Sequence, residues 1–162
     1  VKIYGGAMLV ELNEAEQRLA KFLAKARYEN ARSKNIPNKK IGPQSNELTD
    51  LEGIAGELAF CKLMNVYPDL QTVVIPEDDC LLLNGLRVDV KTTKYKNGRV
   101  LAASWKEENT IDVYALMVGE FPSYRFAGMI SAKKLLVEER KINLGHGVGY
   151  AATQDELEKW RT

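Results

Sequence analysis

The stretch from Asp79 to Thr93 reads Asp-Cys-Leu-Leu-Leu-Asn-Gly-Leu-Arg-Val-Asp-Val-Lys-Thr-Thr, and it limits what this chain can fold into more than any other. Two short runs rich in Leu and Val meet at Asn84-Gly85, a dipeptide that accepts the positive φ of a tight hairpin turn. Side chains alternate along a strand, so Asp89 and Lys91 share one face while Val88 and Val90 share the other. Two residues at strand rise set the acid and the base about 7 Å apart, aimed the same way. A strand that gives inward positions to charge needs those charges paired, and an acid beside a base points to chemistry.

Hairpin register decides which acid faces Asp89. A three-residue loop, Leu83-Asn84-Gly85 with Gly85 left-handed, sets Asp79 opposite Asp89. A two-residue loop at Asn84-Gly85 shifts the register and brings Asp78 to that face instead. The three-residue loop is the preferred reading.

Before the hairpin the apolar spacing is helical. Leu12, Ala15, Leu19, Phe22, Leu23 and Ala26 predict a long amphipathic helix over about 12–33, with Asn13 as its cap. Pro37, Gly42 and Pro43 make a loop of 35–46, with Lys39-Lys40 at its tip. Thr49-Asp50-Leu51-Glu52 reads as a capping box opening a second helix to about Asn65. On that helix Glu57 falls about 60° from Ile54 and about 40° from Cys61, at the edge of the buried stripe. Gly53 and Gly56 let the helix approach another backbone closely.

The remaining elements are shorter. Residues 1–10 and Thr72–Ile75 read as strands, and Lys96-Asn97-Gly98-Arg99 as a turn sending a strand over Arg99–Ala103 back along the second hairpin strand. Asp112–Val118 and Ser123–Ile130 are two more strands joined around Phe121-Pro122. Ser131 caps a short helix through Val137, and 145–149 is a Gly-rich loop around His146. Thr153–Glu156 is a further capping box, opening a last helix through Trp160. Helices first, strands in the middle and short helices last predict a single α/β domain over 1–162, of the α+β mixed-sheet kind with helices flanking a central sheet.

The formal net charge of +1 conceals an uneven distribution. Arg18, Lys21, Lys25, Arg27, Arg32, Lys34, Lys39 and Lys40 stand against Glu29 alone, and Lys91, Lys94, Lys96, Arg99 and Lys106 bracket the hairpin. Such surface suits a polyanion such as DNA, although a solvated helix face explains the first cluster equally well. Cys61 and Cys80 make neither a disulfide framework nor a zinc spacing. With no apolar membrane span and no secretory pattern, the expected compartment is reducing cytoplasm.

Glu57, Asp79 and Asp89 would repel one another unless a cation stood between them, and hard oxygen donors favour Mg2+ or Mn2+. An ammonium beside them suits an anionic substrate attacked by water, whose pKa it lowers or whose growing charge it neutralises. Gly-Glu-Leu-Ala-Phe at 56–60, the acid at Asp79 and Val-Asp-Val-Lys-Thr-Thr at 88–93 together resemble the PD-(D/E)xK nuclease superfamily, in its small stand-alone phage or mobile-element form. The resemblance spans roughly 50–130, in a core of about 48–130.

The resemblance implies a restriction-endonuclease-like sheet and Mg2+-dependent cleavage of DNA phosphodiester bonds to 5′-phosphate and 3′-hydroxyl ends. In that reading Asp79, Asp89 and the Val90 carbonyl bind metal, Glu57 ligates directly or through water, and Lys91 orients or activates the attacking water. Lys39, Lys40, Lys94, Lys96 and Arg99 would hold the DNA backbone. Cutting both strands would call for a homodimer. The alternative is a nuclease-fold protein that lacks the reaction and serves as a nucleic-acid-binding or assembly module. Glu139-Arg140-Lys141 repeats the acid-x-Lys triplet without apolar strand neighbours and is set aside. Trp105, Tyr95 and Tyr124 could stack on bases but suit core or rim packing better.

Overall fold

A computed structural model describes residues 1–4, 7–34, 46–73, 79–82, 84–107, 109–145 and 147–159. Lys39, Lys40, Asp78, Leu83, His146, Trp160 and the second half of the strand expected at Thr72–Ile75 lie outside the described residues. Thr72 and Val73, its first half, form a bend rather than a strand.

In chain order the elements are β1 (Lys2–Tyr4), β2 (Ala7–Glu11), α1 (Glu14–Ser33), α2 (Asn46–Met64), β3 (Cys80–Leu81), β4 (Arg87–Thr93), β5 (Val100–Ala103), β6 (Val113–Glu120), β7 (Ser123–Ser131), α3 (Ala132–Leu135), β8 (Lys141–Asn143) and β9 (Val148–Ala152). Asn13 does cap α1: its side chain accepts the Glu16 amide at 2.9 Å, and the Glu16 carboxylate accepts the Asn13 amide at 2.7 Å. The buried stripe of α1 is Ala20, Leu23 and Ala24. Phe22, expected in that stripe, is 63% exposed, because it lies about 100° around the helix from Leu23.

The second helix begins at Asn46, not at the predicted capping box. Starting earlier frees Glu52 from capping, and it reaches across the fold instead. Its carboxylate accepts the Phe121 amide at 3.0 Å and the Tyr124 hydroxyl at 2.6 Å, tying α2 to the turn between β6 and β7.

A six-stranded sheet runs in the order β1-β2-β7-β6-β4-β3. Its strands are antiparallel except for β4 and β6, which run parallel with Asp89 beside Tyr114 and Lys91 beside Leu116. Arg87 clamps Asp112 through Nε at 2.9 Å and Nη2 at 3.0 Å, tying the starts of β4 and β6 together. Hydrogen bonding to Arg87 holds the Asp112 carboxyl down to about 2. The strand predicted to return along β4 exists as β5, but it pairs with β9 in a separate three-stranded sheet, β5-β9-β8. The supposed Gly-rich loop supplies the start of β9 at Val148 and Gly149. The last capping box, Thr153 with Glu156, closes only one 3-10 turn over Gln154–Glu156, after which Glu158 bridges to Met129. Ser131 caps α3 as expected, accepting the Lys134 amide.

Alternation along β4 and β6 sorts the core into two. Val88, Val90, Ala115 and Met117 pack with Leu23, Ile54, Ala59 and Phe60 under α1 and α2. Tyr114, Leu116 and Val118 face the other way, onto Val100, Ala102, Leu135, Tyr150 and Ala152. The result is a mixed α/β fold with a central sheet, two long helices on one face and a small sheet with α3 on the other.

Gly56 is where α2 meets β4. A Cβ built there would stand 1.9 Å from Thr92 Oγ1, far inside any real contact. Gly56→Ala should therefore destabilise the protein by about 1–3 kcal/mol through overpacking, read as a lower midpoint in urea unfolding. An unchanged midpoint would mean that Thr92 can turn away at no cost.

Candidate active site at the open edge of the sheet

The hairpin between β3 and β4 has the three-residue loop. The Leu82 amide donates to Leu86 O at 3.0 Å, the Gly85 amide to Leu82 O at 2.8 Å, and Gly85 has φ +83°. Cys80 pairs with Val88, so Asp79 emerges alongside Asp89. The Asp79 amide donates to Val88 O at 2.9 Å, and its Oδ2 accepts the Val90 amide at 2.6 Å. Asp79 thus brackets Asp89 from both sides.

This arrangement follows from the shortness of β3. Among the described residues no strand pairs with that side of β4 beyond Val88, which leaves the Val90 amide for the Asp79 side chain to satisfy. In an extended strand a residue's N–H and C=O point the same way, so the Val90 carbonyl lies on this open edge too.

Asp89 is 5% exposed. Lys91 Nζ pairs with its Oδ1, and Lys106 Nζ stands 3.1 Å from its Oδ2. Burial alone would raise the Asp89 carboxyl, but the two ammonium groups outweigh burial and hold it below the ordinary carboxylate value. Lys91 also lies over the Tyr114 ring, 5.8 Å from its centroid. In sequence Lys106 is only one member of a basic group; nothing local signals that it reaches Asp89 from 17 residues away.

Glu57 comes to the edge from the opposite face of the sheet, carried by α2. Its side chain is 17% exposed and Oε2 accepts from Arg27 Nη1 at 3.2 Å. Burial, with the Asp89 charge adding to it, raises the Glu57 carboxyl to about 7 against the opposing pull of Arg27. Asp79 is raised well above its ordinary value by burial first and then by the charges of Glu57 and Asp89. The three acids therefore feel one another around the edge of β4.

In sequence Arg27 belongs with the basic residues of the first helix. It turns inward instead, donating to Glu57, to Asp69 O at 2.9 Å and to Gln71 O at 2.8 Å. It positions Glu57 and anchors the segment that leads towards Asp79. Lys94, Lys96 and Arg99 are exposed around the turn after β4. Tyr95 and Trp105 are 59% and 57% exposed, whereas Tyr124 is buried against Glu52.

Among the described residues no group of three or more His, Cys, Asp and Glu side chains is gathered so as to hold a metal ion. Glu57 is engaged by Arg27, Asp89 by two lysines, and Asp79 by a backbone amide. Mg2+, however, is commonly held by one or two carboxylates, with water and substrate phosphate completing the shell. Asp79, Asp89 and the Val90 carbonyl are chemically suited to that smaller donor set.

The model of a family of unknown function, DUF5843, matches residues 6–126, an interval that contains Glu57, Asp79, Asp89, Lys91 and Lys106. No curated protein and no solved structure matches the chain.

Proposed function

The chain belongs to DUF5843, a family of unknown function, and from the chemistry at the edge of β4 we propose that it is a metal-dependent deoxyribonuclease with a restriction-endonuclease-like core. The observation that carries this reading is the pairing of Asp89 and Lys91 on one face of β4, with Asp79 bracketing Asp89 across the hairpin. Asp79, Asp89 and the Val90 carbonyl would hold Mg2+ or Mn2+, and Glu57 would act through a bound water from its place beside Arg27. A bound ion would lower the pKa of water and act as a Lewis acid towards the phosphate. Lys91 orients the attacking water and neutralises charge that develops on the phosphate oxygens. Lys94, Lys96 and Arg99 hold the backbone of the nucleic acid by phosphate contacts, so binding tolerates sequence and weakens with salt.

The test is incubation of the purified chain with single-stranded, duplex and branched DNA in Mg2+ or Mn2+. Cleavage that stops on chelation is expected. Intact DNA under every metal and substrate would overturn the assignment.

A second reading keeps the fold and drops the reaction, leaving a nucleic-acid-binding or assembly module. The engagement of Glu57 by Arg27 favours it, because that acid is already held in an ion pair. This reading predicts DNA retention that chelator does not change, and a metal titration with no heat.

A further inference from the structure

The Asp89 carboxylate carries an ammonium on each oxygen, Lys91 on Oδ1 and Lys106 on Oδ2. A divalent ion brought to that carboxylate meets two positive charges at close range, so one of them must leave. The two lysines are not held alike. Lys91 projects from β4, whose register with β6 is set from Val88 to Thr93. Lys106 lies between β5 and β6, its amide on Ala103 O at 3.1 Å. Its ammonium rests 5.3 Å from the Trp105 ring centroid, and that ring is itself more than half exposed.

Resting on the nuclease reading, we propose that Lys106 is a built-in competitor for the metal: its ammonium occupies Asp89 Oδ2 while the ion is absent, and the ion gains that oxygen by displacing it. No covalent bond is made or broken in this exchange: the ion gives up a water for Oδ2, and the ammonium gives up its ion pair for water. A strand-held lysine stays with the carboxylate, and a lysine on a connecting segment gives way through its four side-chain torsions. The displaced ammonium remains at the rim of the β4 edge, over the exposed Trp105 ring.

The experiment is calorimetric titration of the full chain with Mn2+ in the absence of DNA. Lys106→Met removes the competing charge and keeps the length of the side chain, so it should bind Mn2+ on the order of tenfold more tightly than the wild type. Lys106→Gln should tighten binding in the same direction, and Lys106→Arg should bind like the wild type. A purely structural role for Lys106 predicts no gain in affinity. Wild-type binding of Mn2+ with no tightening in either neutral variant would overturn the competitor and leave the nuclease reading standing. An absence of heat from all four proteins would overturn both.

Discussion

Asp89→Asn should lose metal-dependent DNA cleavage by about 10³-fold or more, and should lose Mn2+ binding with it. Neutralising Asp89 removes a charge that would hold the ion and also the partner of Lys91 and Lys106. Lys91→Met should lose cleavage by about 10²–10⁴-fold, the usual range for removing one group that moves a proton or stabilises developing charge. It should nevertheless retain Mn2+ binding, because the oxygen donors are untouched. The crossed pattern is what separates a catalytic lysine from one that merely pairs with Asp89. Circular dichroism would verify that both variants are folded. Cleavage undiminished in either variant would mean that the β4 edge is not where the phosphodiester is cut.

Glu57→Gln should make the metal-free protein more stable at pH 8 and leave it nearly unchanged at pH 5. The Glu57 carboxyl is raised from its ordinary 4.5 to about 7. A folded-state value above the unfolded one means that the native state binds the proton more tightly. The associated stability is present below about pH 4.5 and is lost as pH rises through about 7. The span corresponds to on the order of 3 kcal/mol, and Gln escapes that cost because it never ionises. Arg27 keeps Asp69 and two backbone carbonyls in the variant, so it is not stranded. For a chain of this size the difference is a shift of several degrees in Tm, measured by thermal melts at the two pH values. A variant less stable than wild type at pH 8, or a difference independent of pH, would show that Arg27 dominates over burial.

On this edge Glu57 is an acid whose ionised form costs the fold stability at neutral pH. Its burial, with the Asp89 charge added, outweighs the attraction of Arg27. Asp79 is raised for the same two kinds of reason, burial first and neighbouring carboxylates second. Asp89 alone is held down, because it alone has two ammonium groups. The edge is thus divided into an acid-rich side and a cation-rich side within a few residues of one strand.

Much of this could be read from local pattern. Asn84-Gly85 and the spacing around it imply a hairpin, with the three-residue loop that brings Asp79 alongside Asp89 preferred over the two-residue one, and period-two alternation puts Asp89 and Lys91 on one face. Asn13 with Glu16 marks the start of the first helix. These features depend on residues within about a dozen positions of each other, where backbone sterics and turn chemistry leave few alternatives.

What local pattern misses is long-range pairing. Glu52 looks like a capping residue and instead binds Phe121 and Tyr124, some 70 residues on. Arg27 looks like surface charge and instead holds Glu57 and the 69–71 segment. The three-stranded sheet escapes notice because β8 is only three residues long and β9 starts in what reads as a glycine loop.

The chain by itself determined a hairpin with an acid and a lysine on one face, two long helices before it and a mixed sheet. Only the tertiary structure decided that Lys106 shares Asp89 with Lys91, that Arg27 engages Glu57, and that β5 leaves the main sheet for β9. Turn geometry and side-chain alternation act between near neighbours and are written in spacing. The pairing of charges across the edge depends on which strands close over which face, and every distant segment takes part in settling that.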